Sequence, residues 1–233
     1  MAQQDPGTLD AGQVRAMFDR IASLYDVMNT VMTAGLHHHW RARAVALSGV
    51  GPGSRVIDVA TGTGDLAIAL ARAVAPGGEV VGCDFSEEML LRARRKAPKL
   101  RFEFADALSL PYAGDSFDAA TVGFGARNFA DLERGIAEMV RVVRPGGRVV
   151  ILEITTPSRE PLAGFYRQWF DRLVPAVGRL AGESSAYSYL PSSVRRFPEA
   201  RELAATMHGC GLRRIRYVLL AGGIIAIHVG EVA

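Results

Sequence analysis

The sequence feature that most constrains this chain is a glycine turn between a short apolar run and an alanine-rich run. Residues 56–59 are mostly apolar and predict a buried strand, and the small residues after them predict a tight turn. Gly62 and Gly64 let backbone N–H groups approach a ligand closely because glycine carries no Cβ. The run 66–74 then predicts a helix. This order is typical of a nucleotide-binding crevice at the carboxyl end of a parallel sheet.

The turn alone does not decide which ligand is bound. The pattern Gly62-x-Gly64-x-x-Ala67 also fits the fingerprint of dinucleotide-binding folds, in which a pyrophosphate lies at the helix N-terminus. Asp58 and Asp65 stand on either side of the loop, and their negative charge favours a cationic ligand over an anionic one. Two alternatives stay open at this point: an NAD-dependent oxidoreductase, and an ordinary turn that binds no ligand.

The rest of the chain repeats the alternation of strand and helix. The predicted strands are 56–59, 79–82, 100–104, 117–122 and 148–154, and the predicted helices between them are 66–74, 86–96 and 132–142. Alternation of this kind indicates a parallel sheet with right-handed crossovers. Residues 212–220 and 224–230, around Gly222-Gly223, predict an antiparallel hairpin. We therefore expect an α/β fold with a doubly wound, mostly parallel, seven-stranded Rossmann-like sheet that ends in an antiparallel hairpin.

The length of 233 residues suits one domain, which we place at 13–233. Residues 1–12 are rich in Gln, Gly and Asp, and we expect them to be disordered. The helical pattern within 13–50 fits either a helix packed on the sheet or a lid over the crevice. We interpret 157–198 as a helical insertion that forms part of a substrate pocket. Its aromatic stripe at 162–177 fits either a core helix or a surface for lipid.

Composition and motif spacing exclude several classes of function. The net charge is only +3 and no basic stripe alternates with aromatic residues, so we expect no nucleic-acid partner. His37-His38-His39 has no Cys, Asp or Glu at ligand spacing nearby, so we expect no metal site. Cys83 and Cys210 form no zinc or C-x-x-C spacing and suit reduced thiols. Neither a signal peptide nor a membrane span is evident, and we predict a cytoplasmic protein.

Three acidic residues stand at the ends of three consecutive predicted strands: Asp58, Asp84 and Asp106. The carboxyl ends of parallel strands meet at one crevice, so we expect these side chains to reach one ligand. Asp84 follows the glycine turn by about 20 residues, where a carboxylate accepts both ribose hydroxyls. Asp106 is placed to accept from the exocyclic amine of a purine, and Asp58 lies near the path of a cationic tail. The three together predict a nucleoside site.

Motifs outside the turn carry a family resemblance. In chain order they are Tyr25-Asp26-x-x-Asn29, Gly35-Leu36-His37-x-x-Trp40-Arg41, Gly123-Phe124-Gly125-Ala126-Arg127-Asn128, Arg144-Pro145-Gly146-Gly147, Ser193-Val194-Arg195, Gly222-Gly223 and His228-x-Gly230. With the turn, they make the chain similar to class I S-adenosylmethionine methyltransferases and, more narrowly, to the ubiquinone/menaquinone C-methyltransferase family. This resemblance implies a methyltransferase fold over nearly the whole chain.

The resemblance also implies a cofactor, S-adenosyl-L-methionine, and the residues that contact it. By position the family's contacts fall on Thr63, Asp84, Asp106, Ala107 and Gly123, to which we add Gly62 and Asp58 of the turn. Asp106 stands where many relatives have Asn, a change that keeps the contact to adenine and alters its hydrogen bonding.

The reaction implied by the resemblance is methylation of a ring carbon on a reduced prenylated quinone. We expect demethylmenaquinol as the substrate, with the ubiquinone-pathway equivalent, another small molecule or a non-catalytic binding role as alternatives. A ring carbon attacks only when a neighbouring hydroxyl loses its proton, so we predict that Arg127 stabilises the phenolate and Asn128 orients it. A structural salt bridge is the alternative for Arg127. We assign Tyr25 and Arg195 to the substrate pocket.

The substrate class has consequences for where the protein works. A lipid-tailed quinol resides in the bilayer, so we expect transient contact with the inner membrane surface without an anchor. A homodimer is our default expectation for the oligomeric state.

Overall fold

A seven-stranded sheet is the centre of the computed structural model, which describes residues 10–23, 25–157 and 184–233. The strands are β1 Arg55–Val59, β2 Glu79–Asp84, β3 Arg101–Phe104, β4 Phe117–Gly123, β5 Val143–Ile154, β6 Leu212–Leu220 and β7 Ile225–Val232. Their spatial order is β3-β2-β1-β4-β5-β7-β6. Strands β1 to β5 pair in parallel, whereas β7 pairs antiparallel with both β5 and β6. The predicted fold class is confirmed.

Helices pack on both faces of this sheet. They are α1 Ala11–Ile21, α2 Tyr25–Thr33, α3 Leu36–Ser48, α4 Asp65–Val74, α5 Glu87–Lys96, α6 Leu132–Val142, α7 Ser184–Arg196 and α8 Ala200–Gly209, with short 3-10 turns at Ala126–Asn128 and Ala221–Gly223. Side-chain caps fix several of their starts. The Ser86 hydroxyl accepts from the Met89 N–H at the start of α5, and Asp131 accepts from the Arg134 N–H at the start of α6.

The hydrophobic core has two main parts because successive strand residues point to opposite faces. Val56 of β1 packs with Leu70 of α4 and Leu90 of α5 on one face. Ile57, its neighbour, belongs to the cluster on the other face, which also contains Ile136 of α6. The sheet is therefore covered on both sides. Its strand order reverses between β1 and β4, so the carboxyl ends of the strands on either side of this switch point border the crevice.

Several boundaries differ from the expectations. The helical pattern within 13–50 is divided into α1, α2 and α3, and the break between α2 and α3 lies at Ala34 and Gly35, which adopt positive φ angles. Helix α8, which buries Leu203 and Met207, was not predicted from the sequence. Helix α1 begins at Ala11, inside the 1–12 segment for which we predict disorder. Asp10 caps it through a capping box.

Two predictions fall on residues outside the described part of the chain. These are the disorder of residues 1–9 and the aromatic stripe at 162–177 within the predicted insertion. Of the helices in the described ranges, none is long and apolar enough to cross a membrane.

Candidate active site

A cavity of about 410 Å³ opens at the carboxyl ends of β1, β2, β3 and β4. Its volume is in the range of small-molecule sites. Nine of the predicted site residues line it: Tyr25, Asp58, Gly62, Thr63, Asp84, Asp106, Ala107, Gly123 and Asn128. Arg127 and Arg195 do not line it. The structure therefore brings together the strand-end acids and the glycine turn, as the parallel sheet predicts.

The glycine turn wraps closely against the ends of β1 and β2. Gly62 and Gly64 have φ angles of +57° and +85°, and Ala60 also lies in the left-handed region at +51°. A Cβ on Gly64 would lie 2.9 Å from the Phe102 ring, so only glycine fits at this position without a shift. The Thr61 N–H donates to the Cys83 carbonyl at 2.9 Å and ties the turn to β2. The turn thus presents its backbone at the cavity wall.

Asp58 is a fully buried carboxylate at the end of β1. It accepts hydrogen bonds from the hydroxyls of Thr61 and Thr121, each at 2.6 Å. Burial raises its pKa to about 6, although both hydroxyls favour the charged form. Its two hydrogen-bond donors are neutral hydroxyls.

Asp84 at the end of β2 has a similar environment. It accepts from the N–H groups of Gly62 at 2.8 Å and Ser86 at 2.9 Å. Burial raises its pKa to about 6 against the effect of these backbone donors. Among the ion pairs of the described residues, none includes Asp58 or Asp84. Two neighbouring carboxylates thus line the cavity without a salt bridge to a described residue, although the positive charge of Arg41 acts on the pKa of Asp58.

The purine end of the predicted site lies after β3. Asp106 is exposed, and its Oδ1 accepts from the Leu108 N–H at 2.9 Å. Phe85 and Phe104 line the same part of the cavity, and Phe104 is exposed. Neither phenylalanine was singled out in the sequence analysis. Their position next to Asp84 and Asp106 provides apolar surface for a flat ring.

Two predicted contact residues are part of the cavity wall near the turn. Thr63 is buried, and its hydroxyl donates to Asp26 Oδ1 at 2.5 Å. Lys96 also reaches this hydroxyl, with its Nζ 3.1 Å away. A Cβ on Gly123 would lie 3.0 Å from Leu66 Cδ2, which is a tight fit. The hydroxyl of Thr63 thus connects helix α2 to the turn.

The charge of Asp65 is balanced, which corrects one part of the sequence interpretation. Asp65 forms salt bridges with Lys96 of α5 and with Arg41 of α3. Burial alone would raise the pKa of Asp65, but these two cations lower it below its ordinary value. Asp65 therefore does not bracket the loop with free negative charge. Asp58 and Asp84, in contrast, form no salt bridge with a described residue.

Arg127 makes the salt bridge that the sequence left open as its alternative role. Its Nη1 lies 2.5 Å from Glu153 Oε1 and donates to the Phe124 carbonyl at 2.7 Å. Burial by itself would lower the pKa of this guanidinium, but the Glu153 carboxylate raises it above its ordinary value. Asn128, the next residue, does line the cavity, and its Oδ1 accepts from the Tyr189 hydroxyl at 3.2 Å.

The two residues assigned to the substrate pocket lie in different places. Tyr25 lines the cavity from the start of α2. Arg195 is exposed near the end of α7 and does not line the cavity. Arg15 and Arg41 also line the cavity, although neither was predicted as a contact residue. Both come from N-terminal helices, and Arg41 is the last residue of the motif Gly35-Leu36-His37-x-x-Trp40-Arg41.

The histidine run at 37–39 is not part of a metal-binding cluster of described residues. His37 is buried, and its Nδ1 lies 2.7 Å from the Thr33 hydroxyl. Within the described ranges, no group of three or more His, Cys, Asp or Glu side chains is placed to hold a metal ion.

The hydrogen-bonding and charged groups of the cavity suit a nucleoside with a positively charged tail. Buried carboxylates accept from hydroxyl groups and stabilise a nearby cation, and the turn supplies backbone N–H groups. The residues present therefore fit a sulfonium nucleoside better than a pyrophosphate.

Comparison with known proteins gives consistent results. The model of the ubiE/COQ5 methyltransferase family matches residues 7–232. The demethylmenaquinone methyltransferase of Thermus thermophilus is 47% identical, over 92% of this chain and 99% of that protein. The ubiquinone/menaquinone biosynthesis C-methyltransferase UbiE of Geobacter sulfurreducens is 40% identical, over 94% of this chain and 88% of that protein. An S-adenosylmethionine-dependent methyltransferase structure from Thermotoga maritima shares the fold, with a TM-score of 0.67 at 19% identity, over 93% of this chain and 98% of that chain.

Proposed function

This chain belongs to the ubiE/COQ5 methyltransferase family, and we propose that it methylates a ring carbon of demethylmenaquinol with S-adenosylmethionine as the methyl donor. It is an S-adenosylmethionine-dependent C-methyltransferase. The observation that carries the proposal is that Asp58, Asp84 and Asp106 line one cavity beside the glycine turn. Relatives with these activities in their names match nearly the whole chain and support the same substrate class.

In this proposal each of the three acids contacts a different part of the cofactor. Asp84 accepts from the ribose hydroxyls, and Asp106 with Ala107 contacts the adenine edge. Asp58 faces the positively charged tail, and Gly62, Thr63 and Gly123 shape the wall around it. When bound, S-adenosylmethionine supplies an electrophilic methyl group. The protein's task is to hold the ring carbon in line with that methyl group and to exclude water.

The substrate hydroxyl must lose its proton before the ring carbon becomes a nucleophile. Asn128 is our candidate to contact this hydroxyl, because it lines the cavity and Tyr189 already bonds its Oδ1. Its amide nitrogen is then left to donate to the developing phenolate. We assign Arg127 as a positioning residue, since its guanidinium is bonded to Glu153 and to the Phe124 carbonyl and the residue directly precedes Asn128 in the chain. Its positive charge also favours a nearby phenolate.

Helices α1 to α3 are our candidates for a lid. Tyr25 lines the cavity, and Asp26 bonds Thr63 of the turn and Lys96 of α5. Within this segment α2 buries no residue, whereas Trp40 and Ala44 of α3 pack into the core against β5 and β7, so α2 is the part that can open to admit a long substrate. We propose that the enzyme meets its lipid-tailed quinol by transient contact with the inner membrane surface.

Transfer of a labelled methyl group tests the function. Purified enzyme is incubated with labelled S-adenosylmethionine and, side by side, with demethylmenaquinol and with the ubiquinone precursor. We expect label in menaquinol. The Geobacter relative's name makes the ubiquinone precursor a second candidate substrate. Label in neither quinone would overturn the proposal, and calorimetry with NAD and with S-adenosylmethionine then shows which cofactor binds.

A further inference from the structure

Arg41 is a buried cation on the cavity wall with an unused hydrogen-bond donor. The residue is 6% exposed and lines the cavity from α3. Its Nη1 is buried and has no hydrogen-bond partner within the described ranges. Asp65 Oδ2 lies 3.6 Å from Nη1, which is a charge contact beyond hydrogen-bond distance. Buried donors are nearly always bonded, so this one calls for a partner that the described residues do not supply.

Asp65 does not depend on Arg41 for its own hydrogen bonding. Its Oδ1 accepts from Lys96, and it is the first residue of α4, where the helix N-terminus stabilises a negative charge. Arg41 also lies near Phe124, with its Cζ 5.7 Å from the ring centroid. The guanidinium is thus held in place by contacts that leave Nη1 available.

The order of the strands shows which end of the ligand Arg41 faces. Asp106 follows β3, Asp84 ends β2 and Asp58 lies in β1, and these strands are neighbours in that order. Phe124 comes directly after β4, the next strand along. Given the proposed function, the purine lies at the β3 end, the ribose at β2 and the amino-acid tail toward β4. Arg41 therefore lies at the tail end.

We propose that Arg41 binds the α-carboxylate of the methionine part of S-adenosylmethionine through Nη1. The tail carries one ammonium and one carboxylate, and Asp58 is the buried anion for the first. Arg41 and Arg15 are the positively charged residues among the described residues that line the cavity, and Arg15 lies against Phe104 at the β3 end. Only Arg41 is therefore placed for the carboxylate. A guanidinium–carboxylate hydrogen bond is charge-assisted and strong.

Two ligands that differ only in the carboxylate test this inference. Calorimetry measures the Kd of S-adenosylmethionine and of decarboxylated S-adenosylmethionine for the wild type and for Arg41→Met. We expect Arg41→Met to weaken S-adenosylmethionine binding by about 10- to 100-fold. Binding of the decarboxylated compound should change by less than about threefold, since that ligand has nothing for Arg41 to hold. Arg43→Met, an exposed arginine on the same helix, is the matched control and should bind both ligands as the wild type does.

Arg41→Lys keeps the positive charge and covers the case in which Arg41→Met does not fold, which thermal unfolding without ligand reveals. We expect a smaller loss than in Arg41→Met, confined to the ligand that carries the carboxylate. Equal losses for both ligands, or no preference of the wild type for S-adenosylmethionine, would show that Arg41 is only structural. A wild type that binds neither ligand would instead contradict the proposed function.

Discussion

The buried acids at the carboxyl ends of the strands fall into two sets, one without and one with a salt bridge to a cation. Asp58 and Asp84, on β1 and β2, accept only from hydroxyls and backbone N–H groups. Glu153, on β5, is 1% exposed and is paired with the Arg127 guanidinium. The first set lines the cavity, whereas neither member of the buried pair does. The two acids that form no salt bridge with a described residue thus line the cavity in which we propose that a charged ligand binds.

The two sets contribute to stability in opposite ways. A paired buried charge is costly to break, because removing one partner leaves the other without compensation. An uncompensated buried carboxylate is itself costly, and its raised pKa records that cost. The buried charges of Asp58 and Asp84 therefore lower the stability of the free protein. A cationic ligand stabilises these charges when it binds.

The largest expected effect is a loss of stability when the buried ion pair between Arg127 and Glu153 is broken. Glu153→Gln leaves the buried Arg127 guanidinium without its counter-ion and should lower the free energy of unfolding by about 3–5 kcal/mol. Urea denaturation measures it. The control is Glu79→Gln, which removes an exposed carboxylate paired with Arg55 and Arg101 and should cost less than about 1 kcal/mol. Equal costs would remove the distinction between the buried pair and a surface one.

The second-largest effect is expected on the catalytic rate and comes from Asn128. Asn128→Ala removes the proposed donor to the phenolate and should lower kcat by about 10²–10³-fold. The Kd of S-adenosylmethionine should stay near that of the wild type, since Asn128 is not assigned to the cofactor. Steady-state kinetics and calorimetry measure the two quantities. An unchanged kcat would contradict the role of Asn128 in proton loss.

Neutralising Asp84, which forms no salt bridge with a described residue, should affect ligand binding more than stability, unlike neutralising Glu153. Asp84→Asn removes the charge that we assign to the ribose and should weaken S-adenosylmethionine binding by about 10- to 100-fold. The free energy of unfolding at pH 7.5 should fall by no more than about 1–3 kcal/mol, because the loss of a buried charge offsets part of the cost of placing the asparagine NH₂ against one of the backbone N–H donors of Gly62 and Ser86. Calorimetry and urea denaturation measure these, and exposed Asp115→Asn is the control for both. A large loss of stability would mean that Asp84 is a structural acid like Glu153.

The smallest effect is the dependence of binding on pH. The pKa values of Asp58 and Asp84 are raised to about 6 in the protein without ligand, so both carboxyls gain protons as the pH falls through 6. The affinity for S-adenosylmethionine should be constant above pH 7 and fall below 6, by up to about tenfold per pH unit for each carboxyl. Asp84→Asn should have a shallower profile. A flat profile between pH 5 and 7 would contradict the raised pKa values.

The fold and one wall of the cavity are predictable from sequence because their signals are local. The glycine turn follows its strand directly, and Asp58, Asp84 and Asp106 each end a recognisable apolar run. Once the alternation of strands and helices indicates a parallel sheet, the meeting of the three acids follows from topology. Helix α8 has no such turn motif at its start and was missed.

The charge balance was not predictable, because it depends on contacts between distant segments. Asp65 is neutralised by Arg41 from α3 and Lys96 from α5. Arg127 meets Glu153 because β4 and β5 pair in a register that places Leu152 beside Gly123. Sequence shows which charges exist, but only the packing of helices and the strand register show which of them are paired.

The central claim is that the carboxylates of Asp58 and Asp84 form no salt bridge until the cofactor binds. Carboxyl carbon NMR titration of both residues, without and with S-adenosylmethionine, measures it most directly. We expect pKa values near 6 in the free protein and a clear fall for both on binding. Values near the ordinary 3.8 in the free protein, or values that the cofactor leaves unchanged, would contradict the account.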